Sequence, residues 1–301
     1  MNTFNPEDLK RLYIPASSSH KGQNGKLMII GGSHLFHAAS LWALEIASKI
    51  VDMVFYSSVP ENEKIMMEAK VGFRNGIVVP RERIEDYIEE ADVVLIGPGM
   101  NRAEHEISNF KFQISNSNQI NELKDEGEQT YYLTKYLLQK YPQKKWVIDA
   151  GALQMMELDW LKELQENVVL TPHQGEFEKL FNFKFQISNF KSIMEKTEQM
   201  GREHNCIILL KGETDVVCSP GECVTIAGGN AGMTKGGTGD VLAGLVAALA
   251  CNNDLLLSAK AGSYINKKAG EKLFEEVGYY FNASDLVQEI PKVMKKVLDR
   301  K

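Results

Sequence analysis

Six short apolar runs, each closed by a turn and followed by a helix-length segment, set the rhythm of this chain. Lys26–Ile30 runs into Gly31-Gly32-Ser33, and Val51–Ser57 follows a segment, Leu41–Ile50, with the pattern of a helix. Asp92–Ile96 ends in Gly97-Pro98-Gly99, and Trp146–Ile148 in Asp149-Ala150-Gly151. Val168–Leu170 ends in Thr171-Pro172-His173-Gln174-Gly175-Glu176, and Ile207–Leu210 in Lys211-Gly212. Strands apolar on both faces and separated by helices predict an α/β fold, a mainly parallel central sheet covered on both sides. Gly221 to Ile226 adds a small hairpin arm. Asp240–Ala250 is so apolar that it reads as a buried helix.

The punctuation matters as much as the strands. Gly31 to Ser33, Gly97 to Gly99, Asp149, His173 and Lys211-Gly212 each follow the carboxyl end of a strand. In open parallel sheets ligands bind along that edge, so these loops predict one composite cleft. Singly, each is an ordinary connecting turn.

The chain has 301 residues, 44% of them hydrophobic, which is ample for a single domain spanning 1–301. Its formal net charge of −6 argues against nucleic acid or an anionic membrane as partner. A local anion site is still allowed, because backbone N–H groups bind phosphate without net positive charge. No apolar run approaches the ~20 residues of a membrane span, and Met1 to Lys10 lacks the apolar core of a signal peptide. The expectation is a cytoplasmic enzyme. Cys206, Cys218, Cys223 and Cys251 show no CxxC spacing, and Cys218 and Cys223 are expected to be a reduced pair on facing hairpin arms. The octapeptide Asn-Phe-Lys-Phe-Gln-Ile-Ser-Asn occurs at 109–116 and again at 182–189. It predicts surface insertions near 105–129 and 182–191, tolerated because loops lengthen at little cost. A doubled interaction patch is the functional alternative.

Asn230-Ala231-Gly232-Met233-Thr234-Lys235-Gly236-Gly237-Thr238-Gly239-Asp240 is the stretch with the most chemical content. Its glycines let the backbone approach a ligand, and the helix that follows offers unpaired N–H donors and a positive dipole end. That combination suits a phosphoryl group with developing negative charge, held by Gly237, Thr238 and Gly239. A carboxylate at the same turn, Asp240, can take the proton of an attacking hydroxyl. The plainer reading makes Thr238 or Asp240 a helix cap. The Walker A, Rossmann and HExxH patterns are all missing from the sequence. His173 stands where it should face the cleft, and Glu176 could orient a Mg²⁺-bound water or cap a helix over Glu176–Phe181. Lys211 to Asp215 could cover a nucleotide. His34 and His37 read as a solvated loop.

Taken in order, His20-Lys21-Gly22, Gly31-Gly32-Ser33, Gly97-Pro98-Gly99, Thr171 to Glu176, Leu210-Lys211-Gly212, the 230–244 stretch and Ala283-Ser284-Asp285-Leu286…Ile290-Pro291 resemble one family. It is the ADP- or ATP-dependent NAD(P)H-hydrate dehydratases, of the ribokinase-like superfamily. The resemblance runs from about residue 20 to 291. It implies that NADHX or NADPHX, the S epimer of hydrated NAD(P)H, is phosphorylated on its hydroxyl and loses phosphate to return NAD(P)H. By resemblance, Asp240 is the catalytic base, and Ala39, Gly99, His173 and Asp240 bind the hydrate. Lys211, Gly212, Glu213, Thr214, Asp215 and Gly239 bind ADP or ATP, and Glu176 acts indirectly on Mg²⁺. The resemblance further implies a homotetramer and a functional link to an NAD(P)H-hydrate epimerase on another chain, since only about 20 residues precede the first motif. Departures fall on the acceptor side: Ala38, Met100-Asn101 and Gly151 replace the family's usual residues. The rival readings are a ribokinase-like small-molecule kinase, of the hydroxyethylthiazole or sugar type, and a nucleotide-sensing protein without turnover.

Overall fold

The computed structural model describes residues 2–104, 107, 114, 116–184 and 190–298. Among the described residues, nine strands form one sheet in the order β3-β2-β1-β4-β5-β6-β7-β8-β9. They are β1 (Lys26–Ile30), β2 (Met53–Ser57), β3 (Ile77–Val78), β4 (Val93–Ile96), β5 (Lys145–Ile148), β6 (Val168–Leu170), β7 (Ile207–Leu210), β8 (Asp215–Cys218) and β9 (Cys223–Ile226). The first seven pair in parallel, and β8 and β9 join antiparallel. The expected sheet and hairpin are therefore present.

Strand alternation divides the core in two. Leu27, Ile29, Val54, Tyr56, Leu95, Val147 and Leu209 face helices His37–Ala47, Thr238–Ala250, Leu255–Val277 and Ala283–Leu298. Met28, Ile30, Phe55, Val94, Ile96, Trp146 and Ile148 face the other layer, which includes Glu126–Lys140 and Gln174–Leu180. Each such side chain contributes about 1.5–3 kcal/mol on full burial, so both faces are strongly specified. The Thr238–Ala250 helix is buried almost all round, as its composition requires.

The first predicted helix starts earlier than expected, at His37 rather than Leu41, and ends at Ala47. The apolar run alone misplaced it, because its opening turn, His37 to Ala39, is only half-buried and not in the core. Cys218 and Cys223 correct a second expectation: they form a disulfide. The β8–β9 register sets them directly opposite one another, with Cα atoms 4.0 Å apart. Most of both octapeptide copies lies outside the described residues. Between the first copy and Glu126, Ser117–Ile120 makes one helical turn with Ile120 fully buried. Among the described residues, no helix is long and apolar enough to cross a membrane.

The strand order reverses at β1, which lies between β2 and β4. The loops after β1 and β4 therefore part into a crevice at the carboxyl edge, where ligands bind in such sheets. The loops after β5, β6 and β7 line up along the same edge.

Candidate active site

Asp240 sits at the third position of the Thr238–Ala250 helix, directly above that edge. The helix is capped by Gly237, which adopts a left-handed φ of 94° and makes no side-chain capping bond. A Cβ there would overlap the ring of Trp42, so glycine is required for conformation and for space. Neither Thr238 nor Asp240 is the cap. The Thr238 hydroxyl instead donates to the carbonyls of Met233 (2.6 Å) and Lys235 (2.9 Å), which folds the loop on itself. Lys235 in turn binds the carbonyls of Tyr279 and Phe281. The carboxylate of Asp240 is thus left free of the capping role that the plainer reading gave it.

Three strand ends converge below it. Asp149 (after β5) accepts the Thr171 hydroxyl (after β6) at 2.7 Å and the Lys211 ammonium (after β7) at 2.9 Å. Burial works against the charge on Lys211, but Asp149, Glu176 and Asp240 together outweigh it and hold its pKa above the ordinary value. For Asp240 burial dominates and pushes the carboxyl up to about 7, with Asp149 adding to the rise and Lys211 opposing it. A carboxylate poised near neutrality is what a general base working at neutral pH needs.

His173 and Glu176 form a capping box on helix Gln174–Leu180. The Glu176 N–H donates to His173 Nδ1 at 3.2 Å, and the His173 N–H donates to Glu176 Oε2 at 2.9 Å. The other Glu176 oxygen accepts Gln154 Nε2 at 2.9 Å. Among the described residues no group of three or more His, Cys, Asp or Glu side chains is arranged to hold a metal ion. Each Glu176 oxygen accepts one of these bonds and so retains acceptor capacity that a metal-bound water would need.

Two cavities flank the helix start. One, of about 1150 Å³, is lined by Ala39, Gly99, Gly151, Gln154 and Asp240, with Phe36 at its side. The other, of about 600 Å³, is lined by Lys211, Gly212, Glu213, Asp215, Thr238 and Gly239. So Ala39, Gly99 and Asp240 line one cavity, and Lys211, Gly212, Glu213, Asp215 and Gly239 line the other, while Thr214 lies in the turn without lining it. His173 lines the second cavity rather than the first. Asp149 shows in the sequence only as one of the strand-end residues along the cleft, and Glu126 does not show at all. The latter holds the loops after β1 and β4 together, accepting from His34 N–H (3.2 Å) and Asn101 Nδ2 (2.5 Å) and pairing with His34 Nδ1 (2.8 Å).

Residues 27–292 match the family model described as NAD(P)H-hydrate dehydratase. The chain is 37% identical to the bifunctional NAD(P)H-hydrate repair enzyme Nnr of Methanocaldococcus jannaschii, over 96% of this chain and 52% of that protein. It thus spans about half the length of that relative. It is 32% identical to the ADP-dependent (S)-NAD(P)H-hydrate dehydratase of Cenarchaeum symbiosum, over 96% of each chain. The ADP/ATP-dependent NAD(P)H-hydrate dehydratase of Bacillus subtilis, co-crystallized with ATP/Mg²⁺, shares the fold, with a TM-score of 0.75, 19% identity and 98% of both chains covered.

Proposed function

Because the chain belongs to the NAD(P)H-hydrate dehydratase family, we propose that it returns the S epimer of hydrated NADH or NADPH to the reduced dinucleotide at the expense of ADP. The observation that carries this reading is the position of Asp240 and Gly239 between two cavities. Asp240 faces the larger one and Gly239 the smaller. A hydroxyl bound on the Asp240 side and a nucleotide bound on the Gly239 side would meet over the first turn of the helix.

In this scheme Asp240 takes the proton of the substrate hydroxyl as its oxygen attacks the terminal phosphoryl of the nucleotide. N–H groups of Gly237 to Gly239 hold the transferred group, and AMP leaves. The ring then expels phosphate and loses a proton from the neighbouring carbon, which restores the dihydronicotinamide double bond. Lys211, anchored by Asp149, supplies fixed positive charge beneath the transfer. Glu176 would help to hold Mg²⁺ when it is bound, and the ion would supply further charge neutralisation. The name of the archaeal relative supports ADP over ATP. The reading also implies a homo-oligomer in the cytoplasm, with an epimerase activity supplying the S form.

The test is recovery of NADH absorbance from chemically prepared NADHX. Turnover is expected with ADP and Mg²⁺, to be weaker with ATP, and to vanish with EDTA until Mg²⁺ is restored. No recovery with either nucleotide would overturn the reading. Phosphorylation of hydroxyethylthiazole or a sugar instead would favour the kinase.

The acceptor side carries the chain's departures, and two of them touch. A Cβ at Gly151 would overlap the backbone carbonyl of Met100, so the glycine is what admits the Met100–Asn101 loop in its present position. Gly151→Ala is expected to raise KM for the hydrate roughly tenfold or more, through displacement of that loop, while ADP affinity stays unchanged. An unchanged KM would show that the loop absorbs the side chain harmlessly.

A further inference from the structure

Lys267 lies in the middle of the Leu255–Val277 helix, with its side chain only 7% exposed. Its ammonium donates to the carbonyls of Gly212 (3.0 Å), Glu213 (2.9 Å) and Gly228 (3.3 Å), and stands 3.2 Å from Asp215 Oδ1. These partners belong to two separate loops. Gly212 to Thr214 turns between β7 and β8, while Gly228 lies in the loop after β9. Both loops line the smaller cavity.

Asp215 is equally committed. Its Oδ1 accepts the Gly212 N–H at 2.9 Å, and its Oδ2 accepts the Ser263 hydroxyl, from the same helix as Lys267, at 2.7 Å. A buried ion pair adds little stability over well-packed apolar residues of similar volume. Stability alone therefore does not explain this one. What the ammonium does is tie three carbonyls from two loops to one point, which fixes the width of the cavity between them.

We infer that Lys267, seated by Asp215, is a positioning residue for the nucleotide, holding the two loops at the spacing that receives it. The inference rests on reading the smaller cavity as the adenine-nucleotide site.

Lys267→Met, followed by calorimetric titration with ADP and by steady-state kinetics, tests it. ADP affinity is expected to fall roughly 10- to 100-fold. The rate at saturating ADP and KM for the hydrate should stay within about threefold of wild type. Since the single change strands Asp215, the double variant Asp215→Asn/Lys267→Met removes both buried charges and carries the test if the single variant does not fold. The double variant is expected to show the same ADP defect. ADP affinity within twofold of wild type in a folded variant would overturn the inference, as would equal losses in rate and hydrate KM. A wild-type protein that binds no adenine nucleotide would overturn the functional reading itself, and this inference with it.

Discussion

Asp240→Asn is expected to lower turnover by about 10²- to 10⁴-fold, the usual contribution of a positioned general base, and to leave ADP affinity within a fewfold. It should also make the protein more stable. Burial pushes the folded-state pKa of Asp240 up to about 7, from 3.8 for an ordinary aspartate. Between those two values the native state binds a proton that the unfolded chain has already released. Stability therefore falls as pH rises through that window, and at neutral pH the buried carboxylate is a net cost. Asparagine keeps the shape and removes the charge, so a gain on the order of 1–3 kcal/mol is expected near pH 8, shrinking toward nothing below pH 4. Kinetics with ADP and NADHX, calorimetric ADP binding and thermal melts at both pH values check all three parts. Normal turnover would reduce Asp240 to a structural residue. Lower stability at pH 8 would mean that Lys211 depends on its charge more than the carboxylate is penalised by burial.

The sheet was legible because parallel strands buried on both faces must be apolar throughout, so β1, β4 and β7 announce themselves as runs. The two-residue β3 (Ile77–Val78) carries no such run, and its burial is incomplete. The loops of the site were legible for a related reason. Glycine, proline and titratable residues gather just beyond the strand ends, along the edge where such sheets bind ligands. What could not be read were pairings made by topology. Lys211 shows as a cation after a strand, but its partner Asp149 is 62 residues away and meets it only through the β5-β6-β7 order. Lys267 is harder still, since a lysine within a long helix looks like any solvated one until the helix is packed under the loops. Thr238 shows the converse: its residue type favours a cap, and the left-handed Gly237 before it takes the position instead.

The electrostatic arrangement around Asp240 makes a second result predictable in sign. If Asp240 must be ionised to accept the hydroxyl proton, kcat/KM in the wild type should rise with pH and level off above about 7. Burial is the main cause of that high value, and no substitution of a neighbour removes it. Asp149 is the next cause, and it acts twice: it repels the Asp240 carboxylate, and it engages the ammonium of Lys211, which otherwise stabilises that carboxylate. Asp149→Asn cancels the repulsion and releases the full field of Lys211 onto Asp240. The acid limb should therefore move to lower pH, raising the ratio of activity at pH 6 to that at pH 8 by roughly severalfold. The maximal rate should still fall, since Lys211 loses its anchor. Lys211→Met should do the opposite to the limb, because it removes a nearby charge that favours ionisation, and so shift it to higher pH. Two limbs moving in opposite directions from wild type cannot arise from a general loss of packing, which would lower rates at every pH alike. If neither limb moves, the group titrating in kcat/KM is not Asp240, and the assignment of the base to this carboxylate falls.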